Sequence, residues 1–105
     1  MAGALFENAV HAEIYRALAH RGEIPAIYFW RTAAGNEVDF VLELDGRVFG
    51  IEAKATATPR REDVASLIAF GDLLGPLSAG GALVSLAAEP VALTDSIRAI
   101  HLRDL

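Results

Sequence analysis

The chain contains no cysteine, which excludes a disulfide framework, a Cys-ligated zinc site and a thiol nucleophile together. It is also short of positive charge: 9 Lys and Arg stand against 14 Asp and Glu, for a formal net charge of −5. A protein that holds nucleic acid by non-specific phosphate contacts is normally basic, because each neutralised phosphate releases counterions. Any nucleic-acid role therefore needs a local site, a metal ion, or a partner that supplies positive surface. Long apolar runs are missing too. The longest uncharged stretch, residues 73–88, is broken by Gly75-Pro76 and Gly80-Gly81 and falls short of the ~20 residues that span a bilayer. Residues 1–7 have neither the basic start nor the apolar core of a secretory signal. The expectation is a soluble, cytoplasmic protein with no membrane partner.

What remains is a chain of 105 residues, 53% apolar and 22% charged. That balance predicts one globular domain over 1–105 with a single core. Of the 9 basic residues only one is lysine, Lys54, two positions after Glu52. One reading is a coding bias toward arginine. The other is that this position needs a compact ammonium, which a guanidinium cannot replace.

The pattern predicts an α/β fold in the order α-β-β-β-α-β-(β), built on a mixed sheet. Residues 3–21 read as a helix ended by Gly22 and Pro25. At 100° per residue its apolar stripe holds Phe6, Val10, Ile14, Ala17 and Leu18, and Glu7 falls inside that stripe. A carboxylate there is costly unless paired; the bland alternative is a favourable place near the helix N-terminus. Residues 26–32, rich in aromatics, read as a strand and 33–36 as a turn. Residues 37–44 alternate, with Val38, Phe40, Leu42 and Leu44 on one face. Asp45-Gly46 is a strong hairpin signal, followed by a strand over 47–54. Thr58-Pro59 reads as the cap and first turn of a second helix, with Val64, Leu67, Ile68 and Leu74 apolar and Gly75-Pro76 as its stop. Strands follow over 81–87 and 97–102, the first reached by a right-handed crossover.

The two-residue turn fixes a register in which Phe40 faces Ile51 and Leu42 faces Phe49. On the other face Asp39 then opposes Glu52, and Glu37 opposes Lys54. Opposed side chains have Cβ atoms about 4.5–5.5 Å apart, and at an effective dielectric of 20 two like charges ~5 Å apart repel by roughly 3 kcal/mol. Three remedies exist: one carboxyl stays protonated, a cation sits between the two, or Lys54 neutralises them in a structural network with Glu37. Mg²⁺ suits the second, since it takes hard oxygens from one or two carboxylates plus water and substrate phosphates. A lysine beside it can steady the attacking water or the phosphate. The spacing of Asp39, Glu52 and Lys54 thus supplies what phosphodiester hydrolysis needs.

These residues carry a resemblance. Leu5-Phe6-Glu7-Asn8, Tyr28-Phe29-Trp30-Arg31-Thr32, Glu37-Val38-Asp39-Phe40 and Ile51-Glu52-Ala53-Lys54 resemble the PD-(D/E)xK restriction-endonuclease-like superfamily. The branch they look most like is the nuclease-like domain found C-terminal to an AAA+ ATPase in uncharacterised prokaryotic proteins. The resemblance implies a restriction-endonuclease-like core, with Asp39, Glu52 and Glu7 as Mg²⁺ or Mn²⁺ ligands or their close supports. It implies that Lys54, with Asp39 and Glu52, is catalytic. Val38 stands where the superfamily has proline before the aspartate, and no phosphate-binding Gly-Lys is present, since the sole lysine follows Ala53. The ATPase itself is therefore not in this chain, which is either free-standing or a piece of a longer protein.

Other residues are weaker. Arg31 has two readings, a phosphate contact or a solvated, sheet-paired side chain. His11 reads as a surface histidine, His20 and His101 have no ligand spacing, and no serine sits in G-x-S-x-G. Trp30 and its aromatic neighbours read as core. The expected function is metal-dependent hydrolysis of phosphodiester bonds in DNA. The alternative is a catalytically silent nuclease-like module that docks to an AAA+ ATPase or self-associates, for instance as a homodimer. A purely structural domain with no site is the third reading.

Overall fold

The computed structural model describes residues 3–22 and 26–105. Helix α1 (Gly3–His20) is followed by strands β1 (Ile27–Arg31), β2 (Glu37–Leu44) and β3 (Arg47–Ala53). A 3₁₀ turn (Arg61–Val64) leads into helix α2 (Ala65–Leu74), and strands β4 (Ser78–Ser85), β5 (Val91–Ala92) and β6 (Ile97–His101) complete the chain. The six strands form one mixed sheet in the order β1-β2-β3-β4-β6-β5. The β1–β2, β2–β3 and β5–β6 pairs are antiparallel, while β3–β4 and β4–β6 are parallel. The α/β class and mixed sheet expected from the sequence are present.

Each helix covers one face of the sheet. Phe6, Val10, Ile14 and Leu18 of α1 are buried against Phe40, Leu42, Ile51 and Val84. Val64, Leu67 and Phe70, leading into and along α2, are buried with Val38, Leu83, Ile97 and Ala99. Full burial of each such side chain stabilises by about 1.5–3 kcal/mol, so these two layers hold the sheet in place. The buried residues of α1 recur at every fourth position, so the packed line drifts by about 40° per step around the helix. Ala17 and Glu7 are both exposed, so Glu7 stands at the margin of the packed face rather than inside it.

The hairpin register matches the expectation through Phe40↔Ile51, Leu42↔Phe49 and Leu44↔Arg47. Asp45 and Gly46 both have positive φ, 52° and 80°, as the mirror-image two-residue turn requires. The expected alternation fails at one place. Tyr28 pairs with Val41 and Trp30 with Val38, so Phe29 alone stands across from Asp39 and Phe40. This β-bulge puts an extra residue into β2. Val38 is turned into the α2 core while Phe40 and Leu42 remain on the α1 side.

Several boundaries also differ from expectation, most of them by one residue. The second helix does not start at Thr58-Pro59. Its entry is closed at Arg60, whose backbone N–H donates to Asp63 Oδ2 (2.9 Å) while Asp63 N–H donates back to the Arg60 carbonyl (2.9 Å). The fourth strand begins and ends earlier than 81–87, and β5 was not expected. It is too short for its own pattern to show. Pro25, expected to lie beyond the first helix, falls outside the described residues.

Close approach between α2 and the centre of the sheet depends on missing side chains. A Cβ on Gly50 would lie 2.9 Å from a Leu67 methyl, and one on Gly81 would lie 2.8 Å from the Gly50 carbonyl oxygen. Leu67 can shift, but backbone cannot. Gly81→Ala should therefore lower stability by about 1–3 kcal/mol in urea unfolding. Gly3→Ala, at a position with no atom within 4 Å of the added Cβ, should not destabilise.

Candidate metal and active site

The bulge that misaligns β2 also builds the site. Past Phe40↔Ile51 the Asp39 side chain takes the place of a ladder bond: Ala53 N–H donates to Asp39 Oδ2 at 2.9 Å. Asp39 is half-buried, and this one donor orients its carboxylate at the end of the hairpin. Burial raises its pKa, the Ala53 N–H opposes that, and the charges of Glu7 and Glu37 raise it further.

Glu52 lies beside it on β3. Its pKa is pushed up to about 8, first by burial and then by the negative charge of Asp39 and of Glu37. A bond from the Asp39 backbone N–H opposes this, and Glu7 adds a smaller upward push. Glu52 Oε1 is the one buried side-chain N or O atom without a hydrogen-bond partner among the described residues. A buried acceptor left unmatched costs about 1–3 kcal/mol. The site thus holds a desolvated carboxyl with a free oxygen, close to a second carboxylate of the same sign.

The expected opposition of Glu37 to Lys54 is not formed. Glu37 stands across from Arg31 on β1 and pairs with its guanidinium, Nε to Oε2 3.3 Å. Lys54 Nζ bonds Asp63 Oδ1 at 2.6 Å, and the Asp63 side chain is only 7% exposed. Lys54 and the Arg60 N–H together hold the Asp63 carboxyl below its ordinary range. The amine therefore does not neutralise Asp39 and Glu52, and the structural network expected as the third remedy is absent here. Sequence reasoning missed Asp63. Its acidic position ahead of α2 is visible in the sequence, but Thr58-Pro59 is the stronger cap signal there.

Glu7 sits apart from the pair yet close enough for its charge to raise both carboxyls. With Glu37, Asp39, Phe29, Trp30 and Arg31 it lines a cleft of about 390 Å³. Among the described residues no three His, Cys, Asp or Glu side chains are grouped closely enough to hold a metal by themselves. A larger groove of about 840 Å³ opens at the opposite end of the parallel strands, near Arg47, Ser78 and Ser96. The orphaned Glu52 oxygen lines neither: Asp39 borders the smaller cleft, and Glu52 lies buried beside it. His11 is exposed and stacks on Phe40, ring centroids 5.8 Å apart. No described helix is long and apolar enough to cross a membrane.

The Glu52 shift carries a sign. An unfolded Glu ionises near its ordinary 4.5 and the folded one near 8, so between these values the folded state binds more protons. Stability then falls as pH rises through this window and levels off above it. Glu52→Gln removes that loss. In metal-free buffer it should stabilise by about 1–3 kcal/mol at pH 8, after allowing for solvent screening of a half-buried group. The gain should vanish toward pH 4.5, as read from thermal melts across that range.

Two comparisons place the chain. Uncharacterized proteins of Mycobacterium bovis and Mycobacterium tuberculosis are each 39% identical to it over 57 residues. The aligned segment is 54% of this chain and 12% of each relative, so the chain corresponds to a small part of their length. A family described as a domain of unknown function, DUF4143, matches residues 2–105; such domains are typically found C-terminal to AAA+ ATPases. With a match running over nearly its whole length, the chain belongs to the DUF4143 family.

Proposed function

We propose that this domain is a divalent-metal-dependent nuclease of the restriction-endonuclease-like, PD-(D/E)xK kind, hydrolysing phosphodiester bonds in DNA. The observation that carries the reading is the unpartnered Glu52 oxygen beside Asp39. Burial and like charge leave this pair short of one positive ion, and the donor set is all hard oxygen, as Mg²⁺ or Mn²⁺ prefers. Asp39 and Glu52 would hold the ion, with Glu7 supporting the negative field from α1. Such an ion supplies a water of lowered pKa and polarises the phosphoryl oxygen.

The remaining work falls to the chain. The Ala53 N–H keeps the Asp39 carboxylate aimed, so that its geometry does not depend on the ion. Glu52 is desolvated, which strengthens its attraction for a cation once its proton is lost. Lys54 is exposed over about half of its side chain and would serve by rotating from Asp63 toward the phosphate. A strand hairpin followed by a helical crossover to a parallel strand also supports the restriction-endonuclease-like reading, since it places Asp39, Glu52 and Lys54 at one end of the sheet.

One observation favours a second reading. The only lysine is engaged by the Asp63 carboxylate, as in a domain whose catalytic machinery has been retired and whose role is to dock to an AAA+ ATPase or to itself. The two differ in outcome. For the nuclease, Mg²⁺ or Mn²⁺ at about ten times its dissociation constant should raise the wild-type Tm by roughly 5–10 °C. Asp39→Asn and Glu52→Gln should lose that shift. Lys54→Ala should keep it while cleavage of labelled DNA falls at least ~100-fold. A shift without any wild-type cleavage selects the docking module; neither shift nor cleavage with either metal defeats the nuclease.

A further inference from the structure

Of the aromatic strand expected to lie in the core, Trp30 packs there but Tyr28 and Phe29 do not. Strand β1 is the edge of the sheet, with Tyr28 62% and Phe29 70% exposed. Its two better-covered members point to different layers: Ile27 packs with the α1 core, and Trp30 with the α2 core against Phe70, ring centroids 5.0 Å apart. Strand alternation then puts Phe29 and Arg31 on the α1 side. The Arg31 guanidinium stands 5.7 Å from the Phe29 ring centroid, and both line the cleft that holds Asp39 and Glu7.

We infer that Phe29 stacks an unpaired nucleobase beside the carboxylate pair, with Arg31 meeting the adjoining phosphate, so that the substrate of this site is a single-stranded polynucleotide. This rests on the nuclease reading. An exposed, flat, apolar ring at the mouth of an acidic cleft has no packing role in the fold. It does have a partner in any base whose face is free, and such stacking tolerates every sequence. A duplex offers base edges in its grooves and keeps the faces stacked inside, so it gives Phe29 nothing to bind. Charge points the same way. With a net charge of −5 and Glu7, Glu37 and Asp39 lining the cleft, phosphate contacts alone would hold a duplex poorly. Stacking does not depend on charge. Arg31 is the basic side chain in the cleft lining, and its pairing with exposed Glu37 leaves the rest of its donor fork for phosphate.

The test is fluorescence anisotropy with Ca²⁺ present to occupy the carboxylates. The probes are a labelled single-stranded DNA decamer, the same decamer as a duplex, and a single-stranded RNA decamer. The single strand should bind at least ~10-fold more tightly than the duplex. Phe29→Ala and Phe29→Leu should each weaken it about 5- to 100-fold while Phe29→Tyr retains it, with thermal melts confirming that all three variants fold. DNA and RNA binding alike would mean recognition through bases and phosphate; DNA alone would add a contact to the sugar. Equal affinity for duplex and single strand, or an indifferent Phe29→Leu, overturns the inference. The two proposals fail separately. A Mn²⁺-induced Tm shift with cleavage confined to duplex keeps the nuclease and discards the base pocket. Phe29-dependent binding of the single strand without any metal response does the reverse.

Discussion

The extra residue in β2 opposite Phe29 is the constraint on which the site depends. A regular strand would carry Val38 on the same face as Phe40, leaving the α2 layer without one of its fully buried members. The bulge instead turns Val38 under α2 and lets the Asp39 side chain, not a main-chain carbonyl, receive the Ala53 N–H. Packing and chemistry therefore share one irregularity. The hydrophobic gain from burying Val38 stabilises the distortion, and the distortion aims the carboxylate. Bulges commonly re-aim side chains beside functional sites for this reason.

Around that point the electrostatics are one-sided. Asp39 and Glu52 are both raised, chiefly by burial and then by neighbouring carboxylates. The nearby cations are committed elsewhere: Arg31 to Glu37 and Lys54 to Asp63. A fold under pressure only to be stable would place an apolar residue or a matched donor at Glu52, because removing both members of an uncomfortable polar contact is often neutral or better. Tension of this kind is tolerated where a ligand relieves it, and it is typical of sites that do chemistry.

Much of this was legible in the residues. Asp45-Gly46 fixed the hairpin register by itself, because a two-residue turn permits little else, and Asp39 and Glu52 were brought together by counting from it. What could not be counted was the β1–β2 register. The turn at 33–36 is longer and does not set the alignment, so the bulge and the inversion of Val38 were hidden. Glu7 lies off the packed line, since a four-residue repeat drifts around α1 and at the first turn points away from it. The burial of β1 was misjudged for a different reason. Aromatic residues mark a strand, but nothing within a strand's own sequence tells whether it lies at the centre or the edge. Asp63 reads from the sequence only as an acidic residue near the start of α2, while its bonds to Lys54 and to Arg60 arise from a tight turn that local propensity does not specify.

The two margins of the sheet are unequal. β5 ends one side with only two residues, too little exposed main chain to template a neighbour, whereas β1 leaves five residues on the other. Among the described residues, main-chain hydrogen bonding to an outside strand is thus offered chiefly along β1. An outside strand would find its longest run of free main-chain groups along β1, beside the side chains that line the acidic cleft.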